Sequence, residues 1–325
     1  MSDPRQGGDP RISATVLVPS YKRPDRLLRC LEAVLAGSRL PDQIVVVLRD
    51  TDEDSGRRLR EWLTRCEHRG LIEMVEVVEP GQVAATNRGL EVARGDVVCF
   101  IDDDAEPEET WLARILAHYH EPSVAGVGGR DIVHHDEEIS ARPRPAVGRL
   151  TWFGRIVGNH HQPAFSEPRE VDHLKGANMS FRREAIAGFD PNIMGAHFTD
   201  TDASLSARRS GGRLIYDPSV RVHHYPAPRP TGYGRQAERP EEIHADAHDW
   251  SYVMLKHLSA PGRAAFWGFA LSVGQGRRYG LLRMLARLPA EGTAAIRRWW
   301  HTLRGLLDGA ATCWASRRHR TPDRT

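Results

Sequence analysis

Four short apolar runs, each followed by a stretch of helix length, set the tightest limit on what this chain can fold into. The runs are residues 14–19 (ATVLVP), 43–48 (QIVVVL), 72–78 (IEMVEVV) and 97–101 (VVCFI). The first is apolar throughout, as parallel strands covered on both faces are. Between the first two, Pro24 opens a helix that puts Leu27, Leu31, Val34 and Leu35 on one face and stops near Gly37. Further helices are predicted around residues 59–66 and 83–93. Strand and helix alternating at this spacing predict parallel βαβ units with right-handed crossovers. The expected fold class is therefore α/β, with a mostly parallel sheet flanked by helices.

Open α/β sheets bind their ligands at the carboxyl ends of the strands. The polar clusters SYKRP, RDTD and DDD each lie at such an end, so they converge on one rim. The third cluster, Asp102–Asp103–Asp104, follows the fourth strand. Side chains two apart on an extended chain point the same way, so Asp102 and Asp104 share a face. Two carboxylates held there repel each other unless a cation sits between them. The alternative is a solvated acidic turn that opens the next helix. No GxGxxG follows a strand, since GYGRQA at Gly232 follows a proline-rich stretch, and no P-loop is present. A nucleotide diphosphate at this rim must then be neutralised by a divalent cation, and Mg²⁺ or Mn²⁺ on aspartate oxygens is the natural choice.

The 325 residues allow one large domain or two smaller ones, with 40% hydrophobic residues to build a core. A net charge of +2 supplies no global field for nucleic acid, which is not expected as a partner. Four scattered cysteines without CxxC spacing read as reduced thiols in a cytoplasmic protein. The polar N-terminus does not read as a secretory signal, and no run of about 20 apolar residues is available to span a bilayer.

Beyond Pro107 the pattern predicts a helix over 110–118 and a strand over 124–128. An irregular stretch, 134–168, carries His134, His135, His160 and His161 and suits a lid or binding loop. Residues 175–181 (KGANMSF) are extended, and RREAIAGFD is expected to be helical. Asp200 and Asp202 open a short helix that ends at Gly211, where N-cap and first-turn acids would account for both. A last strand, RLIYDP, leads to the adjacent histidines His223 and His224.

The segments VLVPSYKRP, QIVVVLRD, GQVAATNRGL, ARGDVVCFIDDDAEP, KGANMSFRREAIAGFD and FTDTDASLSARRSGGRLIYDPSVRVHH, in this order, resemble family 2 glycosyltransferases of the GT-A fold. The likeness covers roughly residues 12–225. It implies a metal-dependent, inverting transfer of a sugar from a nucleotide-diphosphate sugar donor to a glycan, lipid-linked or small-molecule acceptor, with Mn²⁺ or Mg²⁺. Residue by residue, it places Pro19, Tyr21 and Arg23 against the donor nucleotide. Asp102, Asp103 and Asp104 fall on the DxD segment, with Asp104 toward the metal. Asn87 falls on the donor side, and Gly176 and Asn178 fall near the acceptor. Asp200 matches the proposed general base and Asp202 is its rival. His224 matches a metal- or diphosphate-binding histidine, with His223 one residue away.

Three departures stand out. Leu48 and Arg49 occupy the positions of two acids that contact the donor base, leaving Asp50 as the substitute. Thr199 replaces a glutamate before Asp200. Ala85-Thr86-Asn87 lacks the usual arginine, which puts Arg88 forward for that contact. The lost acids also keep open a catalytically degenerate carbohydrate-binding or scaffold protein of the same fold. Nucleotidyl transfer would want a glycine-rich basic loop after the first strand, and SYKRP has no glycine.

Domain organisation follows: a tail over 1–11, a catalytic domain over 12–240 and a helical region over 241–325. In that last region 244–258 reads as a helix, and the ten apolar residues 264–273 are too short to cross a bilayer. LLRMLARLP and AIRRWWHTLRGLL interleave apolar and aromatic residues with arginines. This pattern fits helices lying on an anionic membrane surface, on the cytosolic face. A helical subdomain or an oligomer contact with solvated arginines is the alternative.

Overall fold

In the computed structural model the described residues are 11–134, 146–163, 165–195, 198–226 and 239–320. They divide into two units. The first holds the described residues of 1–145, 160–188 and 207–226; the second holds those of 146–159, 189–206 and 227–325.

The first unit is built on a mixed sheet. Its strands are β1 (Ala14–Ser20), β2 (Gln43–Arg49), β3 (Ile72–Val77), β4 (Val97–Ile101), β5 (Ala105–Pro107), β6 (Val124–Val133), β9 (Arg169–Val171), β10 (Asn178–Arg182) and β11 (Arg213–His224). They lie in the order β3-β2-β1-β4-β10-β6-β11-β5, with β9 alongside β11. The β3-β2-β1-β4 half is parallel, as the βαβ alternation predicts. The antiparallel β10 then separates β4 from β6.

Both faces of the parallel half are covered, which is why its strands carry no polar face. Val16, Val18, Ile44 and Val46 pack with Leu27, Leu31 and Val34 of α1 (Pro24–Leu35), Leu59 of α2 (Glu53–Leu63) and Ile115 of α4 (Trp111–His118). The opposite face meets α3 (Gln82–Val92). A Cβ on Gly89 would come within 2.7 Å of Leu17, so only glycine lets this helix lie so close to β1.

Some elements depart from the sequence expectation. The RREAIAGFD segment forms only a single 3₁₀ turn, Arg183–Ala185. Ile186 is extended, which ends the turn, and the Arg183 guanidinium donates to the carbonyls of Ile186 and of Leu90 on α3. The strand expected over 213–218 instead continues to His224 through an irregularity between Asp217 and Arg221. The Gly232 segment lies outside the described residues.

The second unit is helical, apart from two short hairpins, β7 (Arg149–Leu150) with β8 (Ile156–Val157) and β12 (Gly274–Gln275) with β13 (Arg278–Tyr279). Its helices include α6 (Pro240–His257), α7 (Ala260–Ser272), α8 (Leu281–Glu291) and α9 (Thr293–Arg320), and α5 (Thr199–Arg209) starts within it. Ala247, Trp250 and Met254 of α6 are fully buried, with Phe266 of α7 and Leu306 of α9 in the same core. Gly305 and Gly309 bring α9 against α6: a Cβ on either would fall within 2.3 Å of an α6 carbonyl oxygen. The Trp250 indole N–H donates to the Gly154 carbonyl at 2.9 Å. No described helix is long and apolar enough to cross a membrane.

Candidate active site

The site in the first unit is assembled by strand ends. β4 runs out into Asp102, and the next three residues turn to form β5 antiparallel to β11. That register sets His224 opposite Ala105, one residue from Asp104. The backbone N–H of Tyr225 donates to the Asp104 carbonyl at 2.8 Å and fixes the junction. As a result one ligand atom each from Asp102, Asp104 and His224 lies within 4.8 Å of the others. His224 Nε2 is 3.1 Å from Asp104 Oδ1. Both residues are buried, and Asp102 is half-buried.

Within the turn, the Asp103 carboxylate is taken up by the β1 loop. Its Oδ2 accepts from the Ser20 hydroxyl at 2.7 Å and its Oδ1 from the Arg23 guanidinium at 3.1 Å. Arg23 also reaches Asp104 Oδ2 at 3.5 Å. The β1 loop is tied in turn to the second strand's loop, because the Lys22 N–H donates to Asp52 Oδ2 at 2.5 Å. Asp52 also caps α2 by accepting from the Ser55 N–H. The three polar clusters read from sequence thus meet through Asp103, Arg23 and Asp52.

Electrostatics mark the cluster as short of positive charge. Burial, and then the charge of Asp104, push the Asp102 carboxyl up to about 6, with His224 opposing them. Burial also raises Asp103, against the pull of Arg23 and Ser20. Burial alone would lower His224, but its hydrogen bond to Asp104 and the charges of Asp102 and Asp104 outweigh it and raise its affinity for a proton. The buried His224 Nδ1 has no hydrogen-bond partner among the described residues. Two carboxylates and an imidazole, arranged this closely, offer the oxygen and nitrogen donors that Mn²⁺ and Mg²⁺ accept, so the residues fit a divalent cation.

Other residues named from sequence fall as follows. Pro19 and Tyr21 are half-buried at the end of β1. Asp50 is exposed beyond β2 and pairs with Arg49 at 3.4 Å. Asn87 is half-buried on α3, while Arg88 is exposed and paired with Glu91 at 2.7 Å. Gly176 is half-buried before β10. Asn178 is 1% exposed, and its amide is spent internally. Its Oδ1 accepts from the Trp111 indole at 2.9 Å, and its Nδ2 donates to the Val220 carbonyl at 3.1 Å. His223 faces away from the cluster and hydrogen-bonds His134 at 2.9 Å.

Asp200 and Asp202 belong to the second unit. Asp202 is 3% exposed, with Oδ2 on Lys256 Nζ at 2.8 Å and Oδ1 on His257 Nε2 at 2.7 Å. Asp200 is half-buried and accepts the Thr201 N–H at 2.7 Å.

The sequence reading missed Asp131 and Lys175. Asp131, on β6, is fully buried and ion-paired with Lys175, and its charge adds to the rise at Asp102. The lysine beside Gly176 was the available signal. Asp131 carried none, because β6 runs five residues past the predicted strand end.

Residues 15–189 match the family described as glycosyl transferase family 2. The glucosyl-dolichyl phosphate glucuronosyltransferase of Haloferax volcanii is 25% identical over 233 residues, which cover 66% of this chain and 69% of that protein. Among solved structures, a mannosyltransferase from Pyrobaculum calidifontis in complex with GDP-Man and Mn²⁺ superposes with a TM-score of 0.55. It is 19% identical, over 94% of this chain and 88% of that one. GalNAc-T7 with UDP, GalNAc and Mn²⁺ gives 0.61 at 16% identity, over 96% of this chain and 58% of that one. With its strand-end acids, its mixed sheet and the span of the family match, the chain belongs to glycosyl transferase family 2 and is a glycosyltransferase of the GT-A fold.

Proposed function

We propose that this glycosyltransferase moves a sugar from a nucleotide-diphosphate sugar to an acceptor hydroxyl with inversion, using Mn²⁺ or Mg²⁺ on Asp102, Asp104 and His224. The observation that carries this reading is the cation-deficient cluster those three residues form. A divalent ion bound there would offset charge on the departing diphosphate. Arg23 holds Asp103 and Asp104 in place, so the carboxylates are set before the donor arrives. Pro19, Tyr21, Asp50 and Asn87 face the nucleotide, and Gly176 lies toward the acceptor. Asp200 takes the acceptor proton as the hydroxyl attacks the anomeric carbon from the face opposite the leaving group. Asp202, with one oxygen on the Lys256 ammonium and the other on the His257 imidazole, supports the helix start and is not the base.

The test is turnover of a panel of nucleotide sugars with Mn²⁺, Mg²⁺ or chelator, with the anomer of the product read by NMR. Metal-dependent turnover with an inverted anomer is expected. Chelator-resistant turnover or a retained anomer would overturn the reading.

The acceptor proposed is lipid-linked, and the enzyme works as a peripheral protein on an anionic membrane. The Haloferax relative is named for a dolichyl phosphate compound. Support in this chain comes from the second unit. α8 exposes Leu281, Leu282, Leu285 and Leu288, and α9 exposes Ile296, Trp300, Leu307 and Trp314. The α9 spacing puts all four on one stripe. Arg297, Arg304 and Arg318 are exposed on the same helix, and Arg318 stacks on Trp314 at 3.3 Å. Residues 260–325 carry twelve arginines against three acids in a chain of net charge +2. Apolar side chains ringed by guanidinium groups match an anionic headgroup layer. Co-sedimentation with anionic vesicles should be lost in Leu282→Asp/Leu285→Asp and weakened by salt; equal sedimentation of variant and wild type would overturn it.

A further inference from the structure

Helix α6 begins 51 residues after the family match ends, yet it makes polar contacts with Asp190, Met194, Gly195 and Asp202. Four of its residues do this. Lys256 Nζ bridges Asp190 Oδ2 at 2.7 Å and Asp202 Oδ2 at 2.8 Å. The Tyr252 hydroxyl donates to Asp190 Oδ2 at 2.7 Å, and His257 binds Asp202. Asp249, fully buried, accepts the backbone N–H groups of Met194 at 2.8 Å and Gly195 at 2.7 Å. Positions 249, 252, 256 and 257 recur at helical spacing, so the contacts come from one stripe of α6.

The stripe is itself braced. His248 Nδ1 meets Asp249 Oδ1 at 2.9 Å, and its Nε2 meets the Thr312 hydroxyl of α9 at 2.9 Å. Burial would raise the Asp190 carboxyl, but Lys256 and Tyr252 hold it well below the usual carboxylate range. A buried ion-pair network of this kind is weak evidence for stability in itself, because desolvation offsets much of the attraction. What it supplies here is direction: Asp190, Met194, Gly195 and Asp202 are fixed by α6, and Asp200 stands two residues before Asp202.

We propose that Lys256 and Asp249 are positioning residues for Asp200, clamping residues 190–202 so that its carboxylate is presented to the acceptor in one orientation. The inference rests on Asp200 being the base, and the experiment separates the two. It is a double-mutant cycle of Lys256→Met and Asp200→Asn, read as kcat and donor KM. Lys256→Met should lower kcat by about 10²-fold with donor KM within about 2-fold, the signature of a misplaced group and not of lost binding. Lys256→Arg should recover most of the loss. In the Asp200→Asn background, Lys256→Met should have no further effect.

An unchanged kcat in Lys256→Met, or the same fall in both backgrounds, would overturn the clamp while leaving Asp200 as base. A wild-type kcat in Asp200→Asn alone would remove the base and the clamp together. Should Lys256→Met fail to fold, adding Asp190→Asn restores the local charge balance, and the same cycle applies to that pair.

Discussion

At the end of β4, three consecutive carboxylates share one guanidinium and one imidazole. Under α6, Asp190 and Asp202 share an ammonium, an imidazole and a phenol. The carboxyls with resolved shifts move in opposite directions in the two places. Asp102 and Asp103 are pushed up, whereas Asp190 is held down. Burial pushes upward in both places, and at Asp190 the hydrogen bonds of Lys256 and Tyr252 overcome it. Acids whose cations are all supplied by the chain serve as scaffold. Acids left short of positive charge are disposed to receive it from a ligand.

The contrast breaks most sharply on the proposed proton acceptor. Asp200→Asn should lower kcat by about 10²–10⁴-fold, the range of a general base, with donor binding kept. Asp202→Asn should cost far less, because that carboxylate acts through Lys256 and His257. Steady-state kinetics of the two variants side by side would show the ranking, and the reverse order would move the base to Asp202.

Next in size is Asp104→Asn. Loss of one ligand that stabilises developing charge should cost on the order of 10²–10³-fold in kcat. The melting temperature without metal should stay near wild type, since one of several crowded acids is removed. The rise in melting temperature on adding Mn²⁺ should shrink or vanish. Calorimetry with and without Mn²⁺ measures both.

The smallest effect sharpens the scaffold side. A carboxyl whose pKa is lower in the folded state contributes stability above its unfolded value of 3.8, and that stability is lost as pH falls below it. Wild type should therefore lose melting temperature more steeply below pH 3.8 than Asp190→Asn does. Parallel curves for the two proteins would mean that Lys256 and Tyr252 leave Asp190 energetically ordinary.

Much of the fold could be read because its signals are local. Apolar strands, helix periodicity and Pro24 at a helix start each act within a dozen residues, and the β1–β4 half follows them. The 3₁₀ turn at Arg183 could not be read, because the contacts around it come from distant chain: the Arg183 backbone N–H donates to Asp96 and its guanidinium to Leu90, 93 residues away. Asn178 was legible as a position and not as a role, since only the packed Trp111 shows where its amide is spent.

By itself the sequence determined that acids end a buried strand and led to the expectation that Asp102 and Asp104 lie together; the structure brings them together through a turn, not an extended chain. The family resemblance narrowed the histidine to His223 or His224 and the expected base to Asp200 or Asp202. Tertiary structure gave the members of each pair different surroundings. The β5–β11 register turns His224 toward Asp104 and His223 away, across 120 residues of chain that no local pattern spans. Likewise, α6 covers Asp202 with the Lys256 ammonium and the His257 imidazole. Which of two like residues faces a site depends on what packs against it, and that partner is chosen only when distant segments meet.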